Sequence, residues 1–190
     1  MKLASKAAKQ SSPRRGVATL WIIIAGPAML ALLVLVTDIA NLWLARVELE
    51  NAVEAGALAG ANVWGDGSDN PANRTAAHRA AEAVAQANLV VGEAFDVDAN
   101  NNPAATNNNA LVQCAGTVLL GTYTAATRNF DPLTPPPTVA RRACRVEAAA
   151  TVQSLWLGFA GPFEARASAT AAADGTGGAK LVRVTSGVCP

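Results

Sequence analysis

Few side chains in this sequence have the types and spacing that catalysis requires. Its one histidine, His78, lies in an alanine-rich segment, and a general base would need a partner and a pocket there; we interpret it as a solvent-facing helical residue. The sequence has no GxSxG, HExxH or CxxC motif and no phosphate-binding loop that ends in lysine. We therefore predict that the protein is not an enzyme, and we expect no catalytic residue, cofactor, metal or small-molecule substrate.

Asp38 is the ionisable residue in the most unusual position, because it follows a long apolar run. Residues 17–36, VATLWIIIAGPAMLALLVLV, carry no charge. A carboxylate inside a bilayer is costly and usually functional, which makes Asp38 a candidate membrane-end carboxylate. Two other interpretations stay open. Asp38 could simply lie at the membrane interface, or it could pair with a basic residue of a neighbouring subunit.

Three cysteines, Cys114, Cys144 and Cys189, lie well beyond the apolar run. In an oxidising compartment such cysteines form lasting disulfides. An odd number leaves one thiol over, and the sequence does not choose among the three possible bridges. We predict one disulfide and one free thiol.

The apolar run itself predicts a membrane span. Its 20 residues match a hydrocarbon core of about 30 Å at about 1.5 Å per residue. Residues 1–16 contain five basic residues and no acidic ones, which predicts a cytoplasmic tail and places the chain after about residue 45 outside. A cleaved signal peptide is the alternative, but its apolar region would be shorter and followed closely by a cleavage site.

Beyond the span, the helical spacing of apolar residues continues, so we predict one helix over residues 17–63. Its outer end, GALAG, places Gly56 and Gly60 four residues apart. Small residues at this spacing allow another backbone to approach closely, which predicts helix packing against a partner at these glycines. The alternative is that the glycines only fray the helix before the turn GDGSDN.

The rest of the sequence predicts an α+β fold. A second helix at residues 71–88 and an Asn-rich loop occupy region 64–110. A small antiparallel β-rich extracytoplasmic domain follows at 111–190. Its strands are expected at 111–124, 128–130, 143–155 and 164–173, with a last strand near the C-terminus.

Two clusters within the predicted β-rich region are candidates for contact surfaces. The turn LWLGFAGPF contains Trp156, Phe159 and Phe163 where a hairpin tip would normally be polar. It either packs on the helices of its own domain or forms a contact surface. Arg141, Arg142 and Arg145 have no aromatic residues among them, and the net charge is +1. We interpret these arginines as a solvent-exposed strand edge and expect no nucleic-acid partner.

A family resemblance is carried by RRGVATLWIIIAGPAMLALLVLVTDIANLWLARVELENAVEAGALAGA. This stretch resembles the N-terminal segment of TadG-like proteins of the Tad (Flp) type IV pilus assembly system. Weaker similarity continues in LLGTYT, RRACRVEAAATVQSLWLGFAG and EARASATA. The related TadE-like pseudopilins carry a glutamate five residues after the glycine cut by prepilin peptidase. The fifth residue after Gly16 is Trp21, which favours the TadG-like branch.

The resemblance implies a single-pass inner-membrane component of pilus assembly, either minor pilin-like or a scaffold, with its C-terminal domain in the periplasm. It also implies roles in adhesion and biofilm formation. The expected partners are other pilus-assembly membrane proteins or pilins, together with membrane lipid. The alternative from another functional class is a membrane-tethered periplasmic enzyme or ligand-binding domain unrelated to pili.

Overall fold

A single long helix dominates the computed structural model, which describes residues 15–66, 69–93, 95, 97, 117–131, 142–154 and 162–184. Helix α1 runs over Arg15–Asp66 without interruption and contains Pro27. Within the described residues, one helix, Thr19–Asp66, is long and apolar enough to cross a membrane, and the side chains of its most apolar stretch are unburied. The predicted continuation of the span into an outer helix is therefore present.

Helix α2, Pro71–Gln86, folds back along the outer half of α1. It begins where the sequence predicts, because the Asn70 side chain accepts a hydrogen bond from the Asn73 N–H at 2.7 Å and Pro71 occupies the first turn. The buried face of α2 consists of alanines at every fourth position, Ala77, Ala81 and Ala85.

Five strands form one antiparallel sheet in the order β2-β1-β3-β4-β5. Their bounds are Thr117–Thr124, Asn129–Asp131, Arg142–Val152, Phe163–Ala173 and Ala179–Leu181, numbered β1 to β5 along the chain. The predicted α+β fold, with a long N-terminal helix, a second helix and an antiparallel sheet, is confirmed.

One face of the sheet packs against the helices. Successive strand residues point to opposite faces, and Val146 of β3 stands beside Val118 of β1 and Ala169 of β4 on the helix side. This face and the outer half of α1 share one core. The core also includes α2 alanines. The opposite face carries a smaller cluster that contains Leu119 and Phe130.

β3 runs alongside α1 in the opposite direction, and polar contacts hold both ends. At its start, the Arg142 guanidinium donates a hydrogen bond to the Trp64 carbonyl at 2.7 Å. Just beyond its end, the Ser154 hydroxyl donates to the Asp38 carboxylate at 2.7 Å. From Asp38 to Trp64 the helix rises about 39 Å, and from Arg142 to Ser154 a strand covers about 40 Å. The matching lengths mean that the strands run parallel to the axis of α1.

Candidate functional site

The outer half of α1 carries the two glycines that the sequence singled out, and both lie against α2. A Cβ atom at Gly56 would come within 2.8 Å of the Ala81 carbonyl oxygen and 2.9 Å of the Ala85 Cβ. A Cβ atom at Gly60 would lie 2.6 Å from the Cys144 Sγ and 3.0 Å from the Ala81 Cβ. The close approach at these positions is thus made by α2 and β3 of the same chain.

Cys144 is a free thiol at the centre of this packing. It is fully buried on β3, and burial raises the pKa of its thiol to about 12 because the charged thiolate is poorly solvated there. Cys144 therefore serves as a small apolar side chain against Gly60. The predicted disulfide is not found among the described residues, and Cys114 and Cys189 lie outside them.

Asp38 lies where the exposed inner half of α1 meets the folded domain. Its side chain is 4% exposed, and its carboxylate is the acceptor for the Ser154 hydroxyl. The residue predicted as a membrane-end carboxylate is therefore also a contact between α1 and the end of β3. Ser154 was missed in the sequence, because a serine after a strand carries no signal for a partner more than a hundred residues away.

Most of the aromatic turn, including Trp156 and Phe159, lies outside the described residues. Phe163 is the first residue of β4, half-buried, and stands opposite Val152 on β3. Ser154 precedes the turn in the chain and touches Asp38. Ser154 and Phe163, the described residues on either side of the turn, therefore lie at the end of the sheet nearest Asp38.

The arginines of β3 correct one interpretation of the sequence. Arg142 and Arg145 are buried rather than on a wet strand edge, and Arg141 lies outside the described residues. Arg145 pairs with the buried carboxylate of Glu147 on the sheet face away from the helices. Arg142 reaches α1, where its guanidinium carbon lies 6.0 Å from the centre of the Trp64 ring. The arginine cluster gave the wrong expectation because each buried guanidinium has a partner that the cluster does not reveal. For Arg142 this is a carbonyl of α1, and for Arg145 it is a carboxylate two residues along the strand.

A polar contact fixes the connection between α1 and α2. Asp69 accepts a hydrogen bond from Arg74 at 2.7 Å and a longer one from the Trp64 indole N–H at 3.4 Å. The hydrogen bond from Arg74 is the main reason that the pKa of Asp69 lies below its ordinary value. This contact ties the end of α1 to the first turns of α2.

His78 differs from the expectation of a solvent-facing residue, because it is half-buried on α2. Among the described residues, no group of three or more histidine, cysteine, aspartate or glutamate side chains could hold a metal ion. The sequence of α2 has alanines along one face, and three of them, Ala77, Ala81 and Ala85, form its buried stripe. Their four-residue spacing is the same as that of Gly56 and Gly60.

The comparison with known families matches only residues that belong to α1. Residues 16–63 match the Tad family, described as "Putative Flp pilus-assembly TadE/G-like". The matched segment makes up 48 of the 190 residues. The predicted family resemblance is confirmed for it, and we call residues 16–63 the Tad segment. No curated protein and no solved structure matches the chain.

The Tad segment coincides with α1, which extends only a few residues beyond it at its C-terminal end. It contains Asp38, Gly56 and Gly60, so each of these lies within the matched region. The match supports a pilus-related role for the protein, and one apolar N-terminal helix is consistent with a single-pass membrane protein.

Proposed function

We propose that this protein is a non-catalytic inner-membrane component of Tad/Flp pilus assembly, either minor pilin-like or an assembly scaffold. The proposal rests on the difference in surroundings between the two halves of the Tad segment. Its inner half exposes apolar side chains along α1, while its outer half belongs to the core shared by α2 and the sheet. A helix built in this way joins a membrane anchor rigidly to a folded domain.

The proposed topology has the basic N-terminal tail in the cytoplasm and the sheet in the periplasm. The inner half of α1 then contacts lipid directly, which agrees with the exposure of its apolar side chains, among them Leu20, Ile23, Leu32 and Leu33. Basic residues before the span favour this orientation.

The proposed activity consists of contacts with other pilus-assembly membrane proteins or with pilins, and it extends to adhesion and biofilm formation. One proposed contact surface is the aromatic turn with Trp156, Phe159 and Phe163. Its described flank at Ser154 is held to Asp38. Aromatic side chains near that level are suited to a membrane interface or to a neighbouring subunit.

A disulfide in the periplasmic part remains a proposal. Since Cys144 is a free thiol, the proposed bridge joins Cys114 and Cys189. Thiol counting on the denatured, unreduced protein should then find one free cysteine, and mass spectrometry should identify it as Cys144.

The experiment that tests the function is deletion of the gene, with piliation scored by electron microscopy and complementation as the control. We expect loss of pili that the intact gene restores. A periplasm-dependent reporter fused after Pro190 should be active, whereas a cytoplasm-dependent reporter at the same point should be silent. Unchanged piliation would reject the proposal in favour of a tethered enzyme or ligand-binding domain, and a reversed reporter pattern would reject the topology.

A further inference from the structure

One side of β4 is only partly covered by its neighbour. β3 pairs with β4 along Phe163–Ala172, but β5 pairs only with Ala171–Ala173. The contact between β4 and the β5 segment ends with one further hydrogen bond, which the Val182 N–H donates to the Thr170 carbonyl at 2.9 Å. Within the part of the chain that the structure describes, no other strand pairs with β4 on this side. We call residues 163–169, on the side away from β3, the open edge.

The backbone groups presented by the open edge follow from the register. In an antiparallel ladder, the N–H and C=O of one residue point to the same neighbour, and successive residues alternate between the two sides. Thr170 faces the β5 side, as its bond from Val182 shows. Glu164, Arg166 and Ser168 therefore each present one donor and one acceptor to the open edge, and all three residues are exposed.

Residues 182–184, which follow β5, leave this edge instead of covering it. Val182 and Val184 pack into the cluster on the sheet face away from the helices, and the Arg183 carbonyl accepts a hydrogen bond from the Tyr123 hydroxyl at 3.3 Å. An open cleft of about 330 Å³ remains between this segment, Ser168 and Glu54 of α1. Among the residues that the structure describes, none covers the end of the open edge nearest β5.

A second copy of the chain could pair its charged side chains with those of the open edge, but the two membrane spans would then have opposite orientations. An antiparallel pairing centred on Ala165 would place Glu164 of each copy opposite Arg166 of the other. Such a pairing relates the copies by a twofold axis perpendicular to the strands. Because the strands run parallel to α1, the two membrane spans would point in opposite directions. Copies inserted in one membrane with the same topology cannot form this pair.

We propose that the open edge binds an extended segment of another protein by β-strand addition. The added strand runs antiparallel to β4, as both present neighbours do. It places a basic side chain opposite Glu164 and an acidic one opposite Arg166, because cross-strand pairs of opposite charge are favourable and like charges are not. Its alternate side chains face α1 beside Ala165 and Ala167. That the partner is a pilus-assembly protein rests on the proposed function.

The binding test uses the full-length protein in detergent and the synthetic peptide Thr-Val-Glu-Val-Lys-Val, which matches the charge pattern in antiparallel register. We expect saturating peptide to slow amide hydrogen exchange at positions 164, 166 and 168 by about tenfold or more, since ladder hydrogen bonds protect amides. The amides of 165 and 167, which already face β3, should not change. Protection without this alternation, or none at all, would overturn the proposal.

The charge pattern is tested with the control peptide Thr-Val-Lys-Val-Glu-Val. We expect it to bind about tenfold more weakly to the natural protein, since two favourable cross-strand pairs become repulsive. The double variant Glu164→Arg with Arg166→Glu keeps the ion pair between these residues, 2.9 Å apart in the natural chain, but reverses the order of charges. It should prefer the control peptide. Equal binding of both peptides to both proteins would count against the proposed partner chemistry.

The same double variant tests the open edge in cells, beside the gene deletion. If deletion abolishes pili, the double variant should accumulate normally and still give few pili. Normal piliation by the double variant would then overturn the open edge as a pilus contact, while the proposed function would stand. If deletion leaves piliation unchanged, the proposed function fails, and the peptide experiment alone decides whether the edge accepts a strand.

Discussion

The two halves of α1 have the same backbone conformation and opposite surroundings. In the inner half, Leu33 is 63% exposed, and Leu30, Leu32 and Val36 are exposed as well. In the outer half, the buried positions Ala45, Leu49, Ala52, Val53, Ala57 and Ala61 recur at helical spacing and are fully enclosed. The difference teaches that apolar character alone does not tell which part of a helix enters lipid and which part forms a core.

Side-chain size separates the two halves better than hydropathy. The inner half is rich in leucine and isoleucine, which suit a lipid environment without fixed neighbours. The outer half is rich in alanine and glycine, which let α2 and the sheet approach closely. Substitutions in the two halves test this contrast, from the largest expected effect to the smallest.

Replacing a leucine by alanine should have different consequences in the two halves. Leu49→Ala leaves a cavity in the shared core and should lower the free energy of unfolding of the outer domain by about 2–5 kcal/mol. Leu33→Ala, at an exposed position of the inner half, should change it by less than about 0.5 kcal/mol. Urea unfolding in detergent, followed by tryptophan fluorescence, measures both. Similar losses for the two variants would contradict the division of α1.

Adding a single methyl group should change the free energy of unfolding in opposite directions at two glycines. Gly60→Ala places its Cβ against the Cys144 Sγ and should cost about 1–3 kcal/mol. At Gly26 nothing lies within 4 Å of the added atom, so Gly26→Ala should be neutral or slightly stabilising, by up to about 1 kcal/mol.

The clash at Gly60 can be tested directly by removing the sulfur. Cys144→Ala opens space at the position where the new methyl group lies, so the double variant with Gly60→Ala should lose less stability than the sum of the single changes. The same unfolding measurement gives the coupling free energy. Strict additivity would mean that this contact does not limit the approach of α1 to β3.

At the boundary between the two halves, Ser154→Ala removes the hydroxyl that donates to Asp38. We expect a loss of about 1 kcal/mol, with faster amide exchange confined to the end of β3 and the adjacent turn of α1. Thr151→Ala, at an exposed position near the end of β3, serves as the control. Faster exchange throughout the sheet would instead indicate that the contact supports the whole domain.

The smallest effect is expected at the end of the outer half that lies farthest from the exposed apolar half of α1. Arg74 holds the pKa of Asp69 below its ordinary value of 3.8, so the ionised form stabilises the fold. This contribution is complete above the ordinary pKa and is lost as pH falls through the lowered value. Asp69→Asn should cost about 1 kcal/mol or less at pH 7, since the pair is partly solvated. The difference from the natural protein should shrink below about pH 4; a constant difference would contradict this role.

Local sequence signals predicted the helices and most strands. The uncharged run and its helical continuation predicted α1 to within a few residues at each end. Asn70 and Pro71 predicted the start of α2, since capping is decided by neighbours in the chain. In β4 polar residues alternate with alanines, a pattern that predicts one exposed face. Glu164, Arg166 and Ser168 are exposed accordingly, but buried Thr170 departs from the pattern.

The sequence by itself determined the secondary structure and the anchor, because capping, helical spacing and the length of an apolar run act between near neighbours. The tertiary structure decided what each surface meets. Gly56 and Gly60 meet α2 rather than another protein, Asp38 meets Ser154, and Arg145 pairs with Glu147 inside the sheet domain. These outcomes depend on which distant elements share a core and in what register, and no pattern within a single element contains that information.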